Sequence, residues 1–163
     1  MNKKLLEEMN LQINKEIFSG YLYLAIAAYF ENQNLGGFAH WMRMQAEEEL
    51  EHGMKFFDFL VDRGEKVELL EIEKPESGFG SPTEVFAKVL EHEQYVTNRI
   101  NLLYELAENE KDYATQVFLN WFVDEQVEEE KNASEILGYL KKVGDSGNAL
   151  LMLDQRLKSR GED

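Results

Sequence analysis

The two prolines of the chain, Pro75 and Pro82, fall in one short window and leave a long proline-free arm on either side. A proline inside a helix removes a hydrogen bond and clashes with the preceding turn, so each arm is free to be helical throughout. Apolar residues in the arms recur at three- and four-residue spacing rather than alternating, which is the period of amphipathic helices. The fold is therefore expected to be all-α. A length of 163 residues suits one domain, 1–163, and 44% hydrophobic residues suffice for a core. The balance of 17 Lys and Arg against 32 Asp and Glu gives a net charge of −15. That sign repels phosphate backbones, so no nucleic-acid partner is expected, and cations are the natural small partners. The absence of cysteine rules out a disulfide framework and a thiolate zinc site. The longest uncharged run, 17–30, is 14 residues, short of the roughly 20 apolar residues of a membrane span. Lys3, Lys4 and Lys15 are matched by Glu7, Glu8 and Glu16, unlike the net-positive start of a signal peptide. No membrane partner is expected, and the location expected is cytoplasmic.

Turn signals divide the arms. Asn34-Leu35-Gly36-Gly37 separates a first helix from a second, which Gly64 stops. Ser81-Pro82-Thr83-Glu84 combines a cap, a first-turn proline and a glutamate three residues on, and so starts a third helix. Asn109 to Asp112 form a corner into a fourth. Gly144 ends that one, and Asp145 or Ser146 caps a short fifth helix that fades near Gly161. The stretch from Gly64 to Ser81 is long for a loop. Extended, it could cover roughly 55–60 Å, against roughly 40 Å for helices of this length. Its Val67 to Ile72 portion has extended-strand character and is expected along the outside. The architecture this gives is a four-helix bundle over about 2–143, built as two antiparallel hairpins with a long crossover between helices two and three, and a short C-terminal fifth helix at about 146–160.

The inward stripes of the four long helices are each interrupted. The first runs Met9, Glu16, Tyr23, Ala27, Phe30, and the second Phe38, Met42, Gln45, Glu49, His52, Phe56, Leu60. The third runs Phe86, Leu90, Glu93, Thr97, Ile100, Tyr104, and the fourth Phe122, Gln126, Glu129, Ala133, Leu137. Counted from the corners, Glu93 lies level with Gln126 and Glu129. Glu16 stands one to two turns out of step with Glu49 and His52, a mismatch that stagger would have to absorb. A buried carboxylate without a partner protonates or destabilises the fold. Several at one depth, with no lysine or arginine in the stripes, imply compensating metal. Carboxylate oxygen with one imidazole and no sulfur suits iron or manganese and tolerates zinc.

The sequence here resembles the ferritins, specifically the prokaryotic non-haem ferritins of the ferritin-like di-iron family, over essentially its whole length. The resemblance rests on Glu16, Glu49-x-x-His52, Glu93 and Gln126-x-x-Glu129, with Tyr23 two turns beyond Glu16. It implies that Glu16 and His52 hold a first iron, that Glu49 bridges, and that Glu93 and Glu129 hold a second with Gln126 beside it. Tyr23 matches the site tyrosine and Trp121 a nearby aromatic. It further implies that Glu48, Glu125 and Glu128, with Glu129, form a third iron site facing an interior. Leu50 stands where bacterioferritins have a haem-ligating methionine, and Gln126 and Glu129 replace their Glu-x-x-His, so no haem is expected. The second iron, without a histidine, should be the more exchangeable. The missing cysteines separate the chain from rubrerythrins, and the fifth helix from the small DNA-protecting ferritins.

The function this resemblance implies is iron storage with ferroxidase activity. Fe(II) would be oxidised by O2 or H2O2 at an intrasubunit di-iron centre, with Glu49, His52 and Tyr23 carrying the chemistry, and Fe(III) deposited as mineral within a self-assembled 24-subunit shell. The alternative is a di-iron oxidase or peroxidase that keeps its metal and stores none. Ala149-Leu150-Leu151-Met152-Leu153 and Leu157 offer more apolar surface than so short a helix is expected to bury on its own bundle. The resemblance places such helices around the four-fold axes of the shell. His40 and His92 are expected as surface or core residues, and Gly53 and Gly138 have no evident role.

Overall fold

The computed structural model describes residues 1–144 and 146–161. Within them the chain forms α1 (Lys3–Glu31), α2 (Gly36–Asp62), α3 (Pro82–Asn109), α4 (Tyr113–Val143) and α5 (Gly147–Leu157), and no strand. The end signals act locally. The Asn2 side chain caps α1 by accepting the Leu5 N–H, and Ser81 and Glu84 form a reciprocal capping box at α3. The turn after α1 closes on Asn34, at φ 58°, while Gly36 and Gly37 belong to the first turn of α2. Gly37 is required for space, since a Cβ there would overlap the backbone carbonyl of Asp154 in α5. Ser146 caps α5, and Asp145 lies outside the described residues, as do Glu162 and Asp163.

At the end of α2, Arg63 grips the carboxylate of Asp112 at the α3–α4 corner through two bonds of 3.0 and 3.1 Å. The ends of α2 and α3 are thereby at the same end of the bundle, and the two helices run parallel. Their connection must travel back along the bundle, and it does so against α1. Asn10 donates to Lys66 O and accepts from Glu68 N–H, Asn14 donates to Glu71 O, and Tyr29 donates to Gly80 O. The 67–72 stretch runs along the outside of the bundle as expected, where amide side chains of α1 take up its backbone groups and Leu69, Leu70 and Ile72 stay exposed.

The apolar core is in two parts. One contains Phe30, Phe38, Met42, Phe86 and Leu137, toward the α1–α2 turn. The other contains Leu5, Met9, Phe56, Leu60, Ile100 and Phe122, toward the opposite end. A polar layer divides them. On α3 the deep face is Phe86, Val89, Glu93, Val96, Ile100 and Leu103, whereas Leu90, Thr97 and Tyr104 are only half-buried. Both sets satisfy helical spacing around Phe86, Glu93 and Ile100, and packing against the other helices selects the flank rotated by one residue.

The expected offset of Glu16 also disappears. Glu16 precedes the last residue of α1, Glu31, by 15 residues, and Glu49 and His52 follow the first residue of α2, Gly36, by 13 and 16. In the other hairpin Glu93 precedes Asn109 by 16, and Gln126 and Glu129 follow Tyr113 by 13 and 16. The four residues between α1 and α2 turn across the bundle rather than along it, which is why a count from position 36 overstates the depth of Glu16.

Helix α5 packs Leu153 and Leu157 onto its own bundle, and Asp154 Oδ1 accepts the N–H groups of Gly37 and Phe38 at 2.8 and 3.0 Å. It thus supplies the N-terminal cap that Leu35 cannot. Leu151 and Met152 are left 54% and 75% exposed, so the apolar surplus of this helix is narrower than its composition suggests. No described helix is long and apolar enough to cross a membrane.

Candidate metal centre

The polar layer is where the four stripe interruptions meet. Glu16, Glu49, His52, Glu93, Gln126 and Glu129 are all buried, with at most 4% of any of them exposed. Helix α1 contributes Glu16 and Tyr23, α2 contributes Gln45, Glu49 and His52, α3 contributes Glu93, and α4 contributes Gln126 and Glu129. Gly53 eases the close approach of α1 and α2 here, since a Cβ would lie a tight 3.2 Å from Ile17 Cγ1 and 3.5 Å from Glu16 Cβ.

Ligand atoms of Glu16, Glu49 and His52 converge within 4.8 Å of one another, and a second group of His52, Glu125 and Glu129 meets the same measure. His52 belongs to both. Its Nδ1 is 3.4 Å from Glu49 Oε2 and its Nε2 is 3.9 Å from Glu125 Oε1, so the imidazole stands between two carboxylates. The Trp121 ring packs edge-on against it at 5.3 Å. Glu93 is held by Tyr23, whose hydroxyl donates to Oε1, and by the Gln126 amide, 3.3 Å from Oε2. Glu129 Oε2 accepts from Gln45 Nε2 at 2.7 Å. Glu16 Oε1 accepts from Gln12 Nε2 at 2.8 Å, whereas Glu16 Oε2 is buried without any hydrogen-bond partner.

An orphaned carboxylate oxygen in a packed core is costly unless something arrives to meet it. Burial pushes the Glu16 carboxyl well above the ordinary carboxylate range, and the neighbouring Glu49 adds to the shift. Glu49 is raised by burial and then by Glu93 and Glu129. Burial also raises Glu93, against the stabilising bonds from Tyr23 and Gln126. Glu129 is pushed up to about 8 by burial, with Glu93 adding to it. The metal-free layer therefore retains protons that a divalent cation would displace. Hard oxygens with one imidazole make a donor set for iron, manganese or zinc.

The structure does not bring together everything the sequence suggested. Glu125 joins His52 and Glu129, but Glu48 and Glu128 stand outside both groups. Glu48 is instead paired with Arg160 at 2.6 Å. His92 is half-buried, 2.7 Å from Ser19 Oγ and lowered by burial to about 4, and His40 meets the Arg160 carbonyl at 2.9 Å. Gln12, Arg99 and Arg160, which adjoin the layer, were not legible as site residues. The one available signal was that Gln12 and Gln45 each stand four residues before a stripe glutamate, and hence on the same helical face.

The model of the ferritin-like domain matches residues 6–143 of the chain. The chain belongs to the ferritin family. This ferritin is 44% identical to the bacterial non-heme ferritin of Staphylococcus haemolyticus over 163 residues, all of this chain and 98% of the relative. It is 42% identical to the bacterial non-heme ferritin of Staphylococcus aureus, with the same coverage. Among solved structures, an open pore ferritin from the hyperthermophilic archaeon Archaeoglobus fulgidus superposes with a TM-score of 0.97 at 49% identity, covering 98% of this chain and 99% of that one. A closed form of the same protein, engineered by site-directed mutagenesis, gives 0.96 at 49% identity, covering 98% of each chain.

Proposed function

We propose that this ferritin oxidises Fe(II) in its polar layer and stores the Fe(III) as mineral within a closed 24-subunit shell. The observation that carries the reading is the partnerless Glu16 Oε2 inside a layer of buried carboxylates, which divalent iron would satisfy. Glu16 and His52 bind one iron as substrate, Glu93 and Glu129 the other, and Glu49 spans the two, with Gln126 beside the second. Each Fe(II) gives one electron, and together with two protons they reduce O2 to H2O2, or reduce peroxide in turn. Two cations roughly 3.5–4 Å apart suit such a shared reduction. Tyr23 orients Glu93 through its hydroxyl, and Glu125, grouped with His52 and Glu129, offers a third position, which Glu128 could join, and Glu48 only on leaving Arg160. The site needs no haem: Leu50 has no group to ligate one.

Assembly is supported by the exposed Leu151 and Met152 of α5 and by Leu24, Leu50, Met54 and Val61 on α1 and α2, apolar groups that a second copy can cover. The reading is tested by native mass and iron content after aerobic addition of Fe(II). A 24-subunit particle holding hundreds of irons is expected. A particle saturating at about two irons per chain would mean a permanently metallated di-iron oxidase, and a stable monomer would end the storage reading.

A further inference from the structure

The polar layer carries the same four-membered chain of side chains twice. On one side Glu8 Oε2 accepts from Arg99 Nη1 at 2.7 Å, Arg99 Nε donates to Gln12 Oε1 at 3.2 Å, and Gln12 Nε2 donates to Glu16 Oε1 at 2.8 Å. On the other, Glu48 Oε2 accepts from Arg160 Nη2 at 2.6 Å, the same nitrogen donates to Gln45 Oε1 at 2.9 Å, and Gln45 Nε2 donates to Glu129 Oε2 at 2.7 Å, with a longer bond of 3.4 Å to Glu49 Oε1. Both glutamines are fully enclosed, and the arginine side chains are only 12% and 19% exposed. Arg160 arrives from beyond α5, is held by a bond to the Trp41 carbonyl, and lies 4.4 Å over the Trp41 ring.

We propose that Arg99 and Arg160 are positioning residues, each of which fixes the orientation of one glutamine amide and through it one terminal carboxylate of the metal centre. The proposal rests on the metal-centre reading and deepens it. A guanidinium has only donors, an ionised carboxylate only acceptors, and a glutamine amide one end of each kind. With the arginine bound to Oε1, the amide must present its NH2 to the glutamate. Without the arginine, the amide is free to turn over, placing its carbonyl against the carboxylate and losing both the bond and the aim. The arrangement also keeps each cation one side chain away, where it offsets carboxylate charge without occupying the space that a metal needs. The chain end beyond α5 is in this way connected to Glu129 on α4, although the two are remote in sequence.

The test is anaerobic titration of Co(II) into the metal-free native assembly, followed by visible absorption and calorimetry, with the binding steps assigned by Glu16→Ala and Glu129→Ala. Arg99→Ala should weaken the Glu16 step about tenfold, the scale of lost support around a metal ligand, and leave the Glu129 step within about twofold. Arg160→Ala should do the reverse. In Gln12→Leu and Gln45→Leu backgrounds the respective arginine change should add nothing beyond about twofold, because the pair acts as one unit. Equal weakening of both steps by either variant, a full effect persisting in the leucine backgrounds, or affinities like the parent's would each overturn the proposal. Arg99→Lys and Arg160→Lys keep the charge and lose the planar fork, and they should weaken the same steps as alanine. Parent-like binding by both would mean that charge alone suffices, which also overturns it. A parent that binds no Co(II) through these residues would overturn the metal-centre reading along with this one.

Discussion

The two sides of the metal centre are built to the same plan and finished differently. On the α1–α2 side Glu16, Glu49 and His52 converge on one another, and one carboxylate oxygen is left with no partner. On the α3–α4 side Gln126 stands in the place that Glu49 occupies on α2 and Glu129 in that of His52, and Glu93 and Glu129 are already engaged by Tyr23, Gln126 and Gln45. The first side is short of a cation. The second is largely satisfied without one, and a metal entering it competes with hydrogen bonds and meets no imidazole of its own. Symmetry of position need not bring symmetry of affinity: on the proposed reading the α1–α2 side should be the tighter holder and the α3–α4 side the more exchangeable.

The largest expected effect comes from destroying the first side. Glu49→Ala with His52→Ala should lower the fast phase of Fe(II) oxidation, read by stopped-flow absorbance in aerated buffer, to below about one-hundredth of the parent's, beyond what loss of supporting bonds alone produces. The helical fold should survive, because the change also removes buried charge. A trace matching the parent's would show that the chemistry lies elsewhere, with the group around Glu125 next in line.

A pH series measures how much of the strain the protons relieve. Glu129 titrates near 8 in the folded chain against an ordinary value of 4.5, so the folded state holds the proton more tightly than the unfolded state does. The associated stability is fully present below the unfolded pKa and is lost as pH rises through the folded one. The raised Glu16, Glu49 and Glu93 carboxyls act in the same direction. Metal-free protein should therefore melt lower at pH 8.5 than at pH 5.5, by about 5–10 °C if a few kcal/mol are involved. Zn(II) should restore the loss, and a melting temperature flat across this range would remove the argument for protonated ligands.

Tyr23→Phe sharpens the contrast between the sides. It deletes the hydroxyl that aims Glu93 and should weaken metal binding on the α3–α4 side about tenfold while sparing Glu16 and His52. Two-step Co(II) isotherms would reveal this, and equal weakening of both steps would contradict it. The smallest effect separates structural glycines from idle ones. A Cβ on Gly138 meets nothing within 4 Å, so Gly138→Ala should raise stability by about 1 kcal/mol, or about 2–4 °C in melting temperature, with metal binding unchanged.

Much of this was legible in the sequence because helical spacing and turn chemistry are local properties. Ser81 to Glu84 started α3 where a cap, a proline and a glutamate agree. Glu49 and His52 share a face because three residues make nearly one turn. What spacing could not choose was the flank of α3, since Leu90 and Val89 fit the same period around the same anchors. The course of 67–72 along the outside was legible in its extended character, whereas the Asn10 and Asn14 side chains that hold its backbone were not.

By itself, then, the sequence determined the helices, their ends, the long return between hairpins and the residues that interrupt each stripe, all of which follow from contacts within a few positions along the chain. Only the tertiary structure decided that Arg99 on α3 would reach Gln12 on α1, that Arg160 would fold back over Trp41 to Gln45, and that Glu48 would pair with that arginine rather than join the group around His52. These contacts join residues some 87 to 119 positions apart. No periodicity encodes them, because they exist only once packing has brought separate helices within the 3 Å or so over which a hydrogen bond acts.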